Sequence, residues 1–158
     1  MVDTPSLARS GSVVPVACHQ VDSAVIHVAT DKAWESFKGF HLEKINPERF
    51  ASVQWTHGTA GAVDSVARVT YTDGAVWDIV ISEVSNLRHT ISYNVLAAEP
   101  ALGFTSLQGS IVLRPVTLDN HTLVEWHTDV SNDADAAVIQ DQHFKKLDFF
   151  RALQTRFA

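Results

Sequence analysis

With 158 residues, 46% of them hydrophobic and 19% charged, the chain has the size and balance of one folded, water-soluble domain with a single core. A net charge of −6 opposes a phosphate backbone and the longest basic run is Lys145-Lys146, so nucleic-acid binding is not expected. No apolar stretch reaches the roughly 18 residues that a spanning helix needs, so membrane insertion is not expected either.

Met1 to Gly11 is polar and lacks the basic start and apolar core of a secretory signal; a flexible tail is expected over residues 1–13 and one domain over 14–158. Cys18 is the only cysteine, which leaves no internal disulfide and points to a reducing, cytoplasmic setting. On a strand its neighbour His19 points to the opposite face, so Cys18 makes a poor nucleophile.

From Val14 to Ala29 the pattern is strand-like, with Val21, Val25, Ile26 and Val28 apolar. Thr30-Asp31 offers a cap for a short helix through Ala33, Trp34 and Phe37, ended by Gly39. Phe40 to Ile45 predicts a second short helix, stopped at Asn46-Pro47 because the residue before a proline is pushed out of the helical region. Strand signals then dominate over Phe50–His57, Val66–Thr72, Ala75–Ser85, Arg88–Leu96, Phe104–Val116 and Thr122–Val130. A small glycine-containing loop from His57 to Ala62 reads as a flexible lip, and Asp73-Gly74 reads as a two-residue hairpin turn. The chain closes on a long helix with Asp133 as its expected cap and Lys145, Lys146, Arg151 and Arg156 towards its negative end. At about 100° per residue Ala136, Ile139, Leu147, Phe150, Leu153 and Phe157 form one apolar stripe, with His143 inside it. Strands gathered ahead of one terminal helix imply an α+β domain: a curved seven-stranded antiparallel sheet around a long C-terminal helix, with two short helices after the first strand.

Four stretches give this order a family likeness: Val25-Ile26-His27-Val28-Ala29-Thr30-Asp31-Lys32-Ala33-Trp34, the loop Gly58 to Val66, Asp73-Gly74 and Trp77 with Leu87 to Tyr93, and Thr122-Leu123-Val124-Glu125-Trp126. Over residues 18–157 the chain resembles the Bet v 1/START-like superfamily, the helix-grip fold of plant pathogenesis-related proteins, polyketide cyclases and hormone receptors. The resemblance implies a large apolar cavity between sheet and final helix. It departs from the abscisic-acid receptors, whose second-strand lysine and Ser-Gly-Leu-Pro gate are replaced by Ser52 and Gln54 and by Tyr71 to Val76. All five lysines fall in predicted helical regions, so the strand-lysine amine chemistry of the alkaloid-forming members has no counterpart.

Alternation points Val69, Tyr71, Trp77, Ile79, Ile81, Ile91 and Tyr93 inward, an apolar wall with tyrosine hydroxyls as its polar points, and the helix adds Ile139, His143 and Leu147. Gln108 shares a face with Ser106 and Ser110, and Glu125 shares one with His127 and Asp129. Alternation alone leaves open whether that face of the last strand meets the cavity or solvent, while resemblance to the hormone receptors puts Glu125 at a cavity carboxylate position. His143 and Glu125 are the candidate acid–base residues. Eight histidines include no HExxH, and His19 and His27 lie roughly 26 Å apart on a strand, so neither metal nor cofactor is expected. The first functional expectation is a carrier or sensor, monomeric or weakly dimeric, whose partner is a hydrophobic small molecule (lipid, sterol, polyketide or phenolic) oriented by Tyr93, Gln108, Glu125 and His143. The alternative is a cyclase, lyase or isomerase acting in the same cavity. A third, weaker expectation is an interaction module with an exposed apolar patch.

Overall fold

Alternating apolar residues separated by short turns build seven strands: β1 (His19–Ile26), β2 (Phe50–His57), β3 (Val66–Tyr71), β4 (Val76–Ser85), β5 (Thr90–Glu99), β6 (Leu107–Val116) and β7 (His121–Val130). Three helices complete the computed structural model, which describes residues 18–158: α1 (Thr30–Phe37), α2 (Leu42–Ile45) and α3 (Ala136–Arg156). The tail expected over 1–13, and the start of the first strand at Val14, lie outside the described residues. Strands β2 to β7 form an antiparallel meander, and β1 closes on β7, giving the order β1-β7-β6-β5-β4-β3-β2. No helix among the described residues is long and apolar enough to cross a membrane.

Turn chemistry differs from expectation at three points. The β3–β4 hairpin is closed between Tyr71 and Ala75, so its loop holds three residues, with Gly74 at φ 95° in the conformation that only glycine adopts without strain. The backbone of Thr30 lies inside α1, and its Oγ1 meets Thr122 Oγ1 at 3.0 Å instead of capping the helix. The cap of α3 is Asp135, whose carboxylate accepts from Val138 N at 3.0 Å, and not Asp133. Asp133 accepts instead from Thr105 N at 3.0 Å and Thr105 Oγ1 at 2.7 Å, which ties the approach to β6 to the approach to α3. Hydrogen bonds from Ser131 and Thr105 hold its carboxyl down at about 2.

The core lies between the concave face of the sheet and α3. Phe149 is its hub: its ring meets Trp126 at 4.9 Å, Phe37 at 6.2 Å and Phe50 at 6.2 Å between centroids, joining α3 to β7, α1 and β2. Phe50 continues to Tyr71 and Tyr71 to Trp77, while Phe40 packs on Tyr93 at 5.5 Å. Aromatic pairs in such tilted and edge-to-face arrangements are worth about 0.5–1.5 kcal/mol each beyond area burial.

Candidate functional site

The register of the sheet decides which side chains meet α3. Ile26 is buried, so the period of two puts Gln20, Asp22 and Ala24 on the inner face of β1, while Val21 and Val25 are 44% and 39% exposed outside. On β7, Thr122, Val124, Trp126, Thr128 and Val130 are buried and face in. Glu125, His127 and Asp129 therefore lie on the outer face. There Arg114 Nε donates to Glu125 Oε1 at 3.1 Å, His127 Nε2 lies 3.0 Å from the same oxygen, and Asp129 meets His19 Nδ1 at 2.6 Å. Partial burial works against ionisation of Glu125, but the bonds from His127 and Arg114 prevail and hold its carboxyl below the usual range. Gln108 is exposed on the same side. Glu125 and Gln108 are thus corrected out of the interior: each is flanked by buried neighbours, and the pleat sends alternate residues to opposite faces.

The helix corrects the expectation further. Its buried residues are Gln142, Lys146, Phe149, Phe150 and Leu153, so the inward face is centred on 142, 146, 149 and 153. Ile139, His143 and Leu147 sit on the flank, half-buried. Apolar periodicity missed this rotation because the two innermost positions of the helix's first half are a glutamine and a lysine. Lys146 is 6% exposed; its Nζ donates to Gln142 Oε1 at 3.0 Å and lies 4.5 Å from the centre of the Trp126 ring. Burial pulls this amine down to about 7, with the charge of Asp22 opposing the fall. Asp22, also buried, holds His143 Nδ1 through Oδ1 and accepts from Gln20 Nε2 at 3.0 Å through Oδ2.

Tyr93 completes the group. It stands opposite Gly109 across β5 and β6, where a Cβ would fall 2.6 Å from Tyr93 Cε1, so the bare glycine seats the ring. That lets Trp126 Nε1 donate to Tyr93 Oη at 3.2 Å, and burial pushes the phenol up to about 12. Thr128, one pleat from Trp126 and 2% exposed, has a buried Oγ1 with no partner. The interior thus carries a polar band of Asp22, Tyr93, Trp126, Thr128, Gln142, His143 and Lys146 set in aromatic walls. Among the described residues no three His, Cys, Asp or Glu side chains converge as a metal would need.

No protein-family model and no curated protein matches the chain. Solved structures do. A protein from Nitrosospira multiformis superposes with a TM-score of 0.79 at 19% identity, covering 89% of this chain and 96% of its own. Major latex-like protein 151 from Panax ginseng gives 0.74 at 17%, covering 89% and 97%. Ara h 8.0201 gives 0.72 at 16%, covering 88% and 96%. The chain has the Bet v 1/START-like fold. At these identities the likeness speaks for the fold alone.

The Bet v 1-like arrangement puts the expected site residues in two groups. Val69, Ile79, Ile81, Ile91 and Tyr93 are buried as parts of one continuous core with Phe37, Phe40 and Phe149. Tyr71 and Trp77 are partly exposed at its edge. From there an open cleft of about 410 Å³ runs between α3 and the segment joining β5 to β6, lined by Trp77, Leu102, Phe104, Val138 and Gln142, with Asp141 and Lys145 at its polar side. Gln142 belongs to both the cleft and the polar band. The His57–Ala62 loop, expected as a lip, packs on the end of α1, where Gly61 approaches Lys38 O so closely that a Cβ would lie 3.0 Å from it.

Proposed function

We propose that this chain binds a small molecule with an apolar body and one oxygen-bearing end, of phenolic or short polyketide-like size. The supporting observation is the cleft that passes from Trp77, Leu102 and Phe104 to Gln142, whose amide oxygen is held by the buried Lys146. Ligand sites combine such an apolar wall with a few convergent polar groups, and at about 410 Å³ the cleft sits at the small end of their range. That size favours a phenol over a sterol or a full-length lipid. Binding of 1-naphthol followed by NMR should move the amides of Trp77, Phe104, Val138 and Gln142 in a saturable way. Phe104→Asp should weaken it by about tenfold or more, equivalent to about 1.4 kcal/mol. Glu125→Gln should leave it unchanged, because that carboxylate is on the far side of the sheet. A wild-type protein whose shifts scatter outside the cleft, or a Phe104→Asp variant that binds equally well, would sink the proposal.

The His143–Asp22 pair favours a second reading, an acid–base enzyme of the cyclase, lyase or isomerase kind. A carboxylate that fixes one ring nitrogen leaves the other to move a proton, and the His143 side chain is 39% exposed, open to a substrate. Under this reading His143→Gln lowers turnover far more than affinity; under pure binding it changes affinity modestly.

A further inference from the structure

We infer that Lys146 is a covalent anchor for carbonyl compounds: its Nζ condenses with an aldehyde or ketone brought through the cleft, giving an imine and water. This rests on reading the cleft as the ligand site and names the class of ligand it takes. Lysines are rarely buried without an anionic partner, because removing an ammonium from water costs several kcal/mol unless a counter-charge repays it. Among the described residues Lys146 has no ion pair, while its neighbour Lys145 pairs with Asp141 at 2.9 Å. Its side-chain hydrogen bond goes to Gln142, which lines the cleft, so the amine does not line the cleft itself but is one hydrogen bond from a residue that does.

The surroundings suit the chemistry. Burial holds the amine near 7, so about half of it carries a free lone pair at neutral pH, against well under 1% for an ordinary lysine. In the first step the nitrogen bonds to the carbonyl carbon, the C=O π pair moves to oxygen, and a proton passes from nitrogen to that oxygen. In the second the nitrogen pair forms C=N, the C–O bond breaks, and the hydroxyl leaves as water with the remaining nitrogen proton. The unpartnered Thr128 Oγ1, on the inner face of β7 one pleat from the ring that carries Nζ, is a group to hold the hydroxyl of the intermediate.

The test is reductive trapping of the whole chain with benzaldehyde and cyanoborohydride at neutral pH, mapped by tandem mass spectrometry, which separates Lys145 from Lys146. At least about tenfold more benzyl adduct is expected on Lys146 than on Lys32, Lys38, Lys44 or Lys145, since the neutral fraction differs by about a thousandfold and access takes back part of it. In Lys146→Met, and in Lys146→Arg should methionine unsettle the fold, that preferred adduct disappears. Labelling that follows exposure and leaves Lys146 bare overturns the inference. A parallel titration with benzyl alcohol separates the causes: if the alcohol occupies the cleft, only the amine chemistry has failed, and if it does not, the ligand-site reading has failed with it.

Discussion

Replacing Lys146 by methionine removes a charge that the fold is strained to accommodate, and the size of the effect depends on pH in a way that can be worked out. The groups facing the ammonium are Asp22 from β1, Asp141 and Lys145 from α3, and Arg49 from the α2–β2 loop; the two carboxylates favour the charge and the two cations oppose it. Desolvation outweighs them and takes the amine from 10.5 to about 7. Below about pH 7 both folded and unfolded chains carry the proton and the full cost is present. Between about pH 7 and the unfolded value the unfolded chain binds more protons than the folded one, so stability rises with pH. Integrated from about pH 7 to about pH 9, this one group contributes about 2 kcal/mol of added stability to the wild type. Urea denaturation at both ends of that range, with fixed m-values, measures it. Lys146→Met should lack that increment, so the wild type should gain about 2 kcal/mol on the variant as pH rises. Parallel pH profiles for the two proteins would refute the claim that this amine is desolvated.

Two further outcomes follow from contacts away from the amine. Gly109→Ala drives a methyl into a Tyr93 ring already fixed by Phe40 and Trp126, so a net loss of about 1–2 kcal/mol is expected in thermal unfolding despite the better strand propensity of alanine. A variant as stable as wild type would mean that the ring has room to shift. Asp133 has its folded value lowered to about 2, so the stability it contributes is complete above the ordinary carboxylate range and is lost as pH falls through about 2. The gap between wild type and Asp133→Asn in acid unfolding should therefore be constant above about pH 4 and close between about pH 4 and about pH 2, with wild type losing ground; a gap that stays constant across that range would contradict it.

Much of the architecture was legible because strands report themselves by period and turns by composition. Asp73-Gly74, the apolar alternation of Ile79 and Ile81, and the lone long helix were sufficient for the helix-grip arrangement. The site was harder for a specific reason. Apolar patterning assumes that what faces inward is apolar, and here the inward positions of α3 and β1 include Gln142, Lys146, Gln20 and Asp22, while two valines of β1 face water. A polar residue at a buried position reads as surface until the register is known. One clue was present in the sequence: with Ile26 inside, the period of two already places Asp22 beside it. His143 lies one position from the centre of the inward face, and Lys146, three residues on, reads as surface by its charge although a helix gripped by a sheet has one face turned inward.

Among the described residues the one strand that pairs with β1 is β7, and His19 and Asp129 are 110 positions apart. During synthesis, at roughly 5–20 residues per second, the first strand waits roughly 5–20 s before its partner has been made. Throughout that interval Ile26 and the strand's backbone donors are uncovered, and Asp22 has not yet met the histidine of α3. The sheet can zip from β2 to β6 as each hairpin emerges, since those pairings are local. The last seam to close, between β1, β7 and α3, is also the one that assembles the Asp22, His143 and Lys146 group. An incomplete chain on the ribosome thus holds most of its sheet and none of its polar centre, and that centre comes into being in the same step that completes the fold.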